Sequence, residues 1–167
     1  MKMKIRKMKA TDWSRVYDIY RQGMETNLAT FDVETLTYEE FNRERLLTGR
    51  LVALDKERVI GWTSLKQAYE KIPEYHGVAE VSIYIDEDYQ GKGVATHLLQ
   101  QLVIVSEEAG FWMLEADIFA NNTGSIQLHE KCSFRQVGYR EKIGKDRFGV
   151  WRDSVLMERR SQTVGID

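Results

Sequence analysis

The sequence contains few cysteines, prolines and histidines, and it has no long apolar run. Its 167 residues include one cysteine, Cys132, and one proline, Pro73. A lone cysteine excludes an internal disulfide, which suits a reducing compartment, and three scattered histidines offer no metal-ligand spacing. No apolar run approaches the ~18–20 residues of a membrane-spanning helix, and no apolar segment follows the lysines at the start. We therefore expect a cytoplasmic protein with no membrane association and no metal site.

The positive and negative charges of the chain are nearly balanced. The chain has 24 basic and 26 acidic residues, a formal net charge of −2 at pH 7. This balance gives no electrostatic reason to expect a nucleic acid as partner. The 43% hydrophobic and 30% charged residues are typical of a globular protein. We expect a single domain over residues 1–160 and a polar C-terminal tail over 161–167.

The most informative stretch runs from residue 79 to residue 105. Residues 79–85 alternate in a pattern that predicts a strand, and apolar residues at helical spacing predict a helix up to residue 105. Between them, Gly91 and Gly93 allow the backbone to approach a ligand closely. A glycine-rich turn that opens a helix offers free N–H groups and the positive end of the helix dipole. The stretch therefore predicts a phosphate or pyrophosphate site on residues 90–96.

This loop does not match the common nucleotide-binding patterns. Neither Gly-x-x-x-x-Gly-Lys-[Ser/Thr] nor Gly-x-Gly-x-x-Gly is present. Gln90-x-x-Gly93-x-Ala95, after a strand of this type, instead resembles the pyrophosphate-binding loop of the GNAT family of N-acetyltransferases. In that family the loop amides hold acetyl-coenzyme A. The alternative is an ordinary glycine-rich turn between a strand and a helix.

The other patterns predict strands and helices in an order that indicates an α/β fold. Helices are expected at 13–24, 37–47, 96–105 and 122–131, and strands at 1–7, 51–54, 59–65, 79–85, 113–118, 134–139 and 150–158. This order favours a mixed sheet with helices on both faces. The resemblance implies the GNAT acyl-CoA N-acyltransferase fold. That fold has a twisted sheet of about seven strands, in which the parallel strands 79–85 and 113–118 would splay apart around the pantetheine arm.

Four motifs narrow the resemblance to one branch of the family. They are the strand 78–85, the loop 90–95, the segment 122–129 and the run Arg147-Phe148-Gly149-x-Trp151-x-Asp153. Together they resemble the phosphinothricin and methionine sulfoximine acetyltransferases. That branch acetylates the α-amino group of small glutamate- or methionine-like compounds by direct transfer from acetyl-coenzyme A. The resemblance also implies a homodimer. One departure is Ser133, where the family commonly has glycine.

The resemblance implies two catalytic residues, Glu80 and His129. An ammonium must lose a proton before its nitrogen can attack a thioester, and the Glu80 carboxylate could take that proton directly or through water. Without the family, Glu80 is an exposed residue on the polar side of a strand. His129 stands where many relatives have a tyrosine that protonates the departing thiolate. Its alternative is a packing role in a short helix.

Most of the cofactor contacts that the resemblance implies come from backbone groups. A strand amide near residues 83–85 would stabilise the thioester oxygen, and the loop amides would bind the pyrophosphate. Asn122 also fits an N-cap, Ser125 a helix-surface residue and Lys92 a solvated side chain. The full expected set is Ile83, Tyr84, Ile85, Gln90, Gly91, Lys92, Gly93, Val94, Ala95, Thr96, Asn122 and Ser125.

By resemblance, the acceptor pocket would be lined by Phe31, Lys66, Tyr75, Glu80 and Arg147. Phe31 could pack on a methyl or methylene group, and Lys66 or Arg147 could pair with a carboxylate or phosphinate. Two alternatives stay open. One is acetyl transfer to another amine, such as a polyamine, an aminoglycoside or a protein N-terminus. The other is a non-catalytic acyl-CoA-binding module, which would have no need of Glu80.

Overall fold

A mixed sheet of seven strands forms the centre of the computed structural model, which describes residues 1–167. Its spatial order is β1-β2-β3-β4-β5-β7-β6, and only β4 and β5 are parallel neighbours. The strands are β1 (Met3–Lys7), β2 (Leu51–Asp55), β3 (Arg58–Gln67), β4 (Val78–Ile85), β5 (Met113–Phe119), β6 (Arg135–Lys145) and β7 (Trp151–Arg160). The helices are α1 (Trp13–Glu25), α2 (Tyr38–Glu44), α3 (Val94–Glu108) and α4 (Thr123–Lys131).

Capping residues explain where two of the helices begin. The Thr37 hydroxyl accepts a hydrogen bond from the Glu40 amide, while the Glu40 carboxylate accepts one from the Thr37 amide. Asn122 Oδ1 accepts from the Ser125 amide at the start of α4. The helix α2 ends at Glu44, earlier than the predicted residue 47. Its end is early because Arg45 is extended and the Leu46 amide donates to the Leu65 carbonyl of β3 at 2.8 Å.

The helices pack on both faces of the sheet, as the sequence predicts. The helices α1 and α2 bury Ile19 and Phe41 against Trp62 on one face. The helix α3 buries Leu98, Leu99 and Leu102 against the other. Each fully buried side chain of this kind contributes roughly 1.5–3 kcal/mol. No helix in the structure combines the length and the apolar character needed to cross a membrane.

The parallel pair β4 and β5 separates after three residues. Val78, Ala79 and Glu80 pair with residues 113–115, and beyond Glu80 the two strands are no longer paired. The strand β4 stays paired with β3, and β5 stays paired with β7 over its whole length. The sheet therefore opens between residues 81–85 and 116–119. This opening confirms the splay that the resemblance implies.

The far edge of the sheet is longer than predicted. The strand β6 reaches Lys145 because it continues past two register shifts, at 136/138 and 140/144. The tail beyond β7 folds back on the domain: the Ser161 amide donates to the Trp112 carbonyl at 2.8 Å. The Arg160 guanidinium also donates to the carbonyl oxygens of Val164 and Gly165.

Candidate active site

A cleft of about 960 Å³ occupies the opening between β4 and β5. Its walls are β4 from Glu80 to Ile85, β5 from Ala116 to Phe119, part of the loop between α1 and α2, and the loop that enters α3. The helix α4 adds Asn122, the residue before it, and its own Ser125 and His129. A volume of this size is at the upper end of the range for small-molecule and cofactor sites, ~300–1,000 Å³.

The loop that enters α3 is fixed at its base by a buried carboxylate. Asp86 is 1% exposed and forms ion pairs with Arg15 and Arg58. Burial alone would raise the pKa of Asp86, but the hydrogen bond from the Asp88 amide and the two arginines outweigh burial and lower it. The Gln90 side-chain amide donates to the Ile85 carbonyl at 3.0 Å, which ties the loop to the end of β4.

Two glycines give this loop its shape. Gly91 and Gly93 have φ angles of +71° and +82°, in the left-handed region that favours glycine. A Cβ on Gly91 would have no atom within 4 Å, so backbone conformation rather than space demands glycine there. The helix α3 then begins at Val94, and its first N–H groups have no acceptor within the helix. These amides and the helix dipole lie at the cleft wall, where they can hold an anion.

Glu80 lies where the two parallel strands part. Its neighbours across the sheet are Lys66 on β3 and Glu115 on β5, and its own side chain is exposed. Burial raises the pKa of Glu115, and the charges of Glu158 and Glu80 add to that rise, despite a hydrogen bond from the Tyr69 hydroxyl at 2.8 Å. An exposed carboxylate at the mouth of the splay is open to an amine that enters the cleft.

The wall that faces α1 and α2 carries several polar groups, of which Tyr84 alone is among the residues expected from the sequence. The Tyr20 hydroxyl donates to Asp32, and burial raises the pKa of Tyr20, so the phenol stays neutral. Tyr84 packs edge-on against Tyr20 with ring centroids 4.9 Å apart, and burial also raises its pKa. Arg45 donates through Nη1 to the Ser82 hydroxyl at 2.7 Å. The only sequence signal for Arg45 was its place near the end of a helix.

His129 is 2% exposed and packs edge-on against Phe134. Its Nδ1 lies 2.7 Å from the Ser125 carbonyl oxygen. Because a carbonyl can only accept, Nδ1 carries a hydrogen, and in the neutral ring Nε2 then carries the lone pair; Nε2 has no protein partner. Burial lowers the pKa of His129, which favours the neutral ring. In this state Nε2 can accept a hydrogen bond but cannot protonate a thiolate.

A profile of the acetyltransferase (GNAT) family matches residues 13–134 of the chain. The chain belongs to this family. This GNAT protein is 30% identical to the phosphinothricin N-acetyltransferase of Alcaligenes faecalis over 161 residues, 93% of this chain and 81% of that one. It is 32% identical to the L-methionine sulfoximine/L-methionine sulfone acetyltransferase of Pseudomonas aeruginosa (PAO1) over 109 residues, 65% and 62% of the two chains.

The solved structures agree with this family. A GNAT superfamily phosphinothricin acetyltransferase from Sinorhizobium meliloti, in complex with acetyl-coenzyme A, matches with a TM-score of 0.84. It is 26% identical and covers 100% of this chain and 97% of its own. The predicted fold is thereby confirmed, and so is the predicted acetyltransferase class.

The GNAT cleft brings together most of the predicted site residues. They are Phe31, Lys66, Glu80, Ile83, Tyr84, Ile85, Gln90, Gly91, Gly93, Val94, Ala95, Thr96, Asn122, Ser125 and His129. Asn122 is both the N-cap of α4 and a bridge across the cleft, because its Nδ2 donates to the Leu28 carbonyl at 3.2 Å. Phe31 packs edge-on against Phe119 with centroids 4.6 Å apart.

Three predicted residues do not line the cleft of this acetyltransferase. Tyr75 is 47% exposed and packs edge-on against Tyr69. Arg147 donates to the Glu25 carbonyl at the end of α1, at 3.2 Å, and its guanidinium lies over the Phe148 ring. The Lys92 ammonium lies 5.1 Å from the centre of the Tyr89 ring. Their positions come from loop packing, which the sequence pattern does not specify.

Proposed function

We propose that this GNAT protein transfers the acetyl group of acetyl-coenzyme A to the amino group of a small amino-acid-like compound. Phosphinothricin, methionine sulfoximine and methionine sulfone are the leading acceptors. The observation that carries the proposal is one continuous cleft, with an anion site at the start of α3 and a carboxylate, Glu80, at the other end of β4. The named activities of the relatives support the choice of acceptor.

The residues present fit acetyl-coenzyme A. The amides of residues 91–96 offer N–H donors and a helix dipole to a pyrophosphate. The gap between β4 and β5 has apolar walls, including Ile83 and Ile118, that suit a thin pantetheine chain. When bound, acetyl-coenzyme A supplies the acetyl thioester.

Glu80 is the base in this proposal. It takes a proton from the substrate ammonium, directly or through water, and the freed lone pair attacks the thioester carbon. A C–N bond forms, the C–S bond breaks and the sulfur leaves as a thiolate, while the nitrogen gives its second proton to water in the cleft. Base catalysis of this kind contributes about 10²–10⁴-fold. The β4 backbone edge that loses its partner after Glu80 provides N–H donors for the charge that develops on the carbonyl oxygen.

His129 has a different role here from the acid that the resemblance implies. Protonation of the thiolate by His129 requires the imidazolium, and burial of this ring opposes that form. We propose that the thiolate takes its proton from water in the cleft, and that His129 supports the wall of α4.

We also propose that the protein forms a homodimer through the β6–β7 end of the sheet. Large apolar side chains are exposed along this hairpin: Tyr139, Ile143, Phe148, Val150 and Trp151. An exposed apolar surface of this kind is typical of an interface. Ile143→Glu should give a monomer by analytical ultracentrifugation while the wild-type protein sediments as a dimer. A monomeric wild-type protein would contradict the proposal.

Thiol release from acetyl-coenzyme A with a panel of acceptors tests the function. The panel holds phosphinothricin, methionine sulfoximine, methionine sulfone, spermidine, an aminoglycoside and a peptide amine. We expect turnover with the first three alone. Turnover confined to spermidine, the aminoglycoside or the peptide would support another amine as substrate. Tight acetyl-coenzyme A binding by calorimetry without turnover would support a non-catalytic binding module.

A further inference from the structure

Arg45 has different hydrogen-bond acceptors from the other arginines that are buried or half-buried. Six arginines are buried or half-buried in the structure: Arg6, Arg15, Arg45, Arg50, Arg152 and Arg159. Four of them form ion pairs with aspartate or glutamate. Arg50 donates to three backbone carbonyls and to an amide oxygen. Arg45 alone has neither a carboxylate nor a carbonyl acceptor.

The Arg45 guanidinium is held in place without being neutralised. Nη1 donates to the hydroxyls of Ser64 at 2.9 Å and Ser82 at 2.7 Å. Nη2 has no hydrogen-bond partner in the protein, and Nε is buried without one. A cation that is partly removed from water costs free energy unless an anion pairs with it. The two neutral hydroxyls orient this cation but leave its charge free for an anion from outside.

The position of Arg45 relative to Glu80 suits an amino acid. Both residues line the same cleft, and Ser82, which holds Arg45, comes two residues after Glu80 on the same face of β4. That spacing is about 7 Å along a strand. The charge of Arg45 also acts on the hydroxyls of Tyr20 and Tyr84, which lie on this wall. A carboxylate and a guanidinium on one wall of one cleft are complementary to the ammonium and the carboxylate of one α-amino acid.

We propose that Arg45 binds the α-carboxylate of the acceptor through Nη2, while Glu80 receives its ammonium. This assignment rests on the proposed function and names the residue that selects α-amino acids over simple amines. Ser64 and Ser82 orient the guanidinium for this contact. A charge-assisted hydrogen bond of this kind is about twice as strong as a neutral one.

Other cations are less suited to this role. Lys66 is exposed, lies opposite Glu80 in the sheet and gives less directional recognition than an arginine. Arg147 lies outside the cleft. Lys131 lines the cleft from α4, on the side of the cofactor.

Kinetics with two matched acceptors test this assignment. One is methionine sulfone, and the other is the simple amine that differs from it only by the missing carboxylate. We expect the wild-type protein to prefer methionine sulfone by about 10²-fold in kcat/KM, as for a charge-assisted contact. Arg45→Met should lose that preference through a raised KM for methionine sulfone, with less than about a threefold change for the simple amine. Arg45→Lys should keep part of the preference, since it keeps the charge.

The controls separate recognition from folding. Lys66→Met should keep the wild-type preference, and acetyl-coenzyme A affinity by calorimetry should be unchanged in all variants. The assignment is overturned if folded Arg45→Met keeps the preference, or if its kcat/KM falls equally for both acceptors. It is also overturned if Lys66→Met loses the preference instead. If Arg45→Met does not fold, a full wild-type preference in Arg45→Lys overturns it as well. A wild-type protein that acetylates both acceptors equally overturns the role of Arg45 but not acetyl transfer. A wild-type protein that acetylates neither overturns the proposed function, and the role of Arg45 with it.

Discussion

The two sides of the cleft are built from different chemical groups. On the side of α3, the groups that face a ligand are backbone amides, and the φ angles of Gly91 and Gly93 set their direction. On the side of α1 and α2, the groups are side chains, among them Arg45, Glu80 and Tyr84. The first set comes from one short segment, and the second from segments that are far apart in the chain. In the proposed function, side chains therefore set the acceptor while the backbone amides hold the cofactor.

The largest expected effect is a loss of acetyl-coenzyme A affinity when Gly93 is replaced. Gly93→Asp should reduce acetyl-coenzyme A affinity at least about 10²-fold by calorimetry, because a carboxylate would stand at the anion site and the left-handed φ disfavours a side chain. Gly110→Asp is the matched control. Gly110 also has a left-handed φ, +89°, and open space for a Cβ, but it follows the other end of α3. Equal losses of affinity in both variants would contradict the amide site.

The second-largest effect is expected at Glu80, on the side of the cleft where the acceptor is proposed to bind. Glu80→Gln should lower kcat about 10²–10⁴-fold between pH 6 and 9, because the base is lost. Acetyl-coenzyme A affinity should stay at its wild-type value, because Glu80 is on the acceptor side. Glu115→Gln, the neighbouring carboxylate across the sheet, should lower kcat by less than about tenfold. Normal turnover in Glu80→Gln at every pH would remove Glu80 as the base.

The smallest effect on activity is expected at His129. His129→Phe should keep turnover within about threefold of wild type, because a neutral ring whose Nε2 has no hydrogen is not the acid. A drop of about 10²-fold, with normal folding and cofactor binding, would restore the acid role that the resemblance implies.

The same variant tests the charge state of His129 through stability. The native pKa lies below the unfolded value of about 6.5, so the unfolded chain binds more protons as pH falls past that value. The native state therefore loses stability below about pH 6.5. Urea unfolding at about pH 7 and pH 5 should show a larger loss for the wild-type protein than for His129→Phe. Equal losses would mean that His129 titrates normally in the folded protein.

The fold was largely predictable because its signals are local. The capping box at Thr37 and Glu40 and the N-cap at Asn122 fix helix starts, and alternating residues mark β4. The length of β6 was missed because Arg140-Glu-Lys142 is polar and passes through a register shift. A strand that bulges loses the alternation from which strands are predicted.

The position of the candidate site in the fold could be predicted only where the backbone forms it. The glycines of the loop predict where amides turn outward, whatever the rest of the chain does. Arg45 gives no such signal, because its partners Ser64 and Ser82 are 19 and 37 residues away. Tyr75 and Arg147 were expected at the acceptor pocket by resemblance, yet loop packing turns them elsewhere. Side-chain sites depend on tertiary packing, which a single sequence does not show.

The crystal structure of a complex with coenzyme A and methionine sulfone would show directly whether the cofactor and the acceptor occupy the two ends of the cleft. We expect pyrophosphate oxygens at about 3 Å from the amide nitrogens of residues 91–96. We also expect the substrate carboxylate to contact Arg45, and the substrate amino group to lie beside Glu80 and point into the gap between β4 and β5. A pyrophosphate bound elsewhere, or an amino group that points away from Glu80 toward β6, would contradict this arrangement.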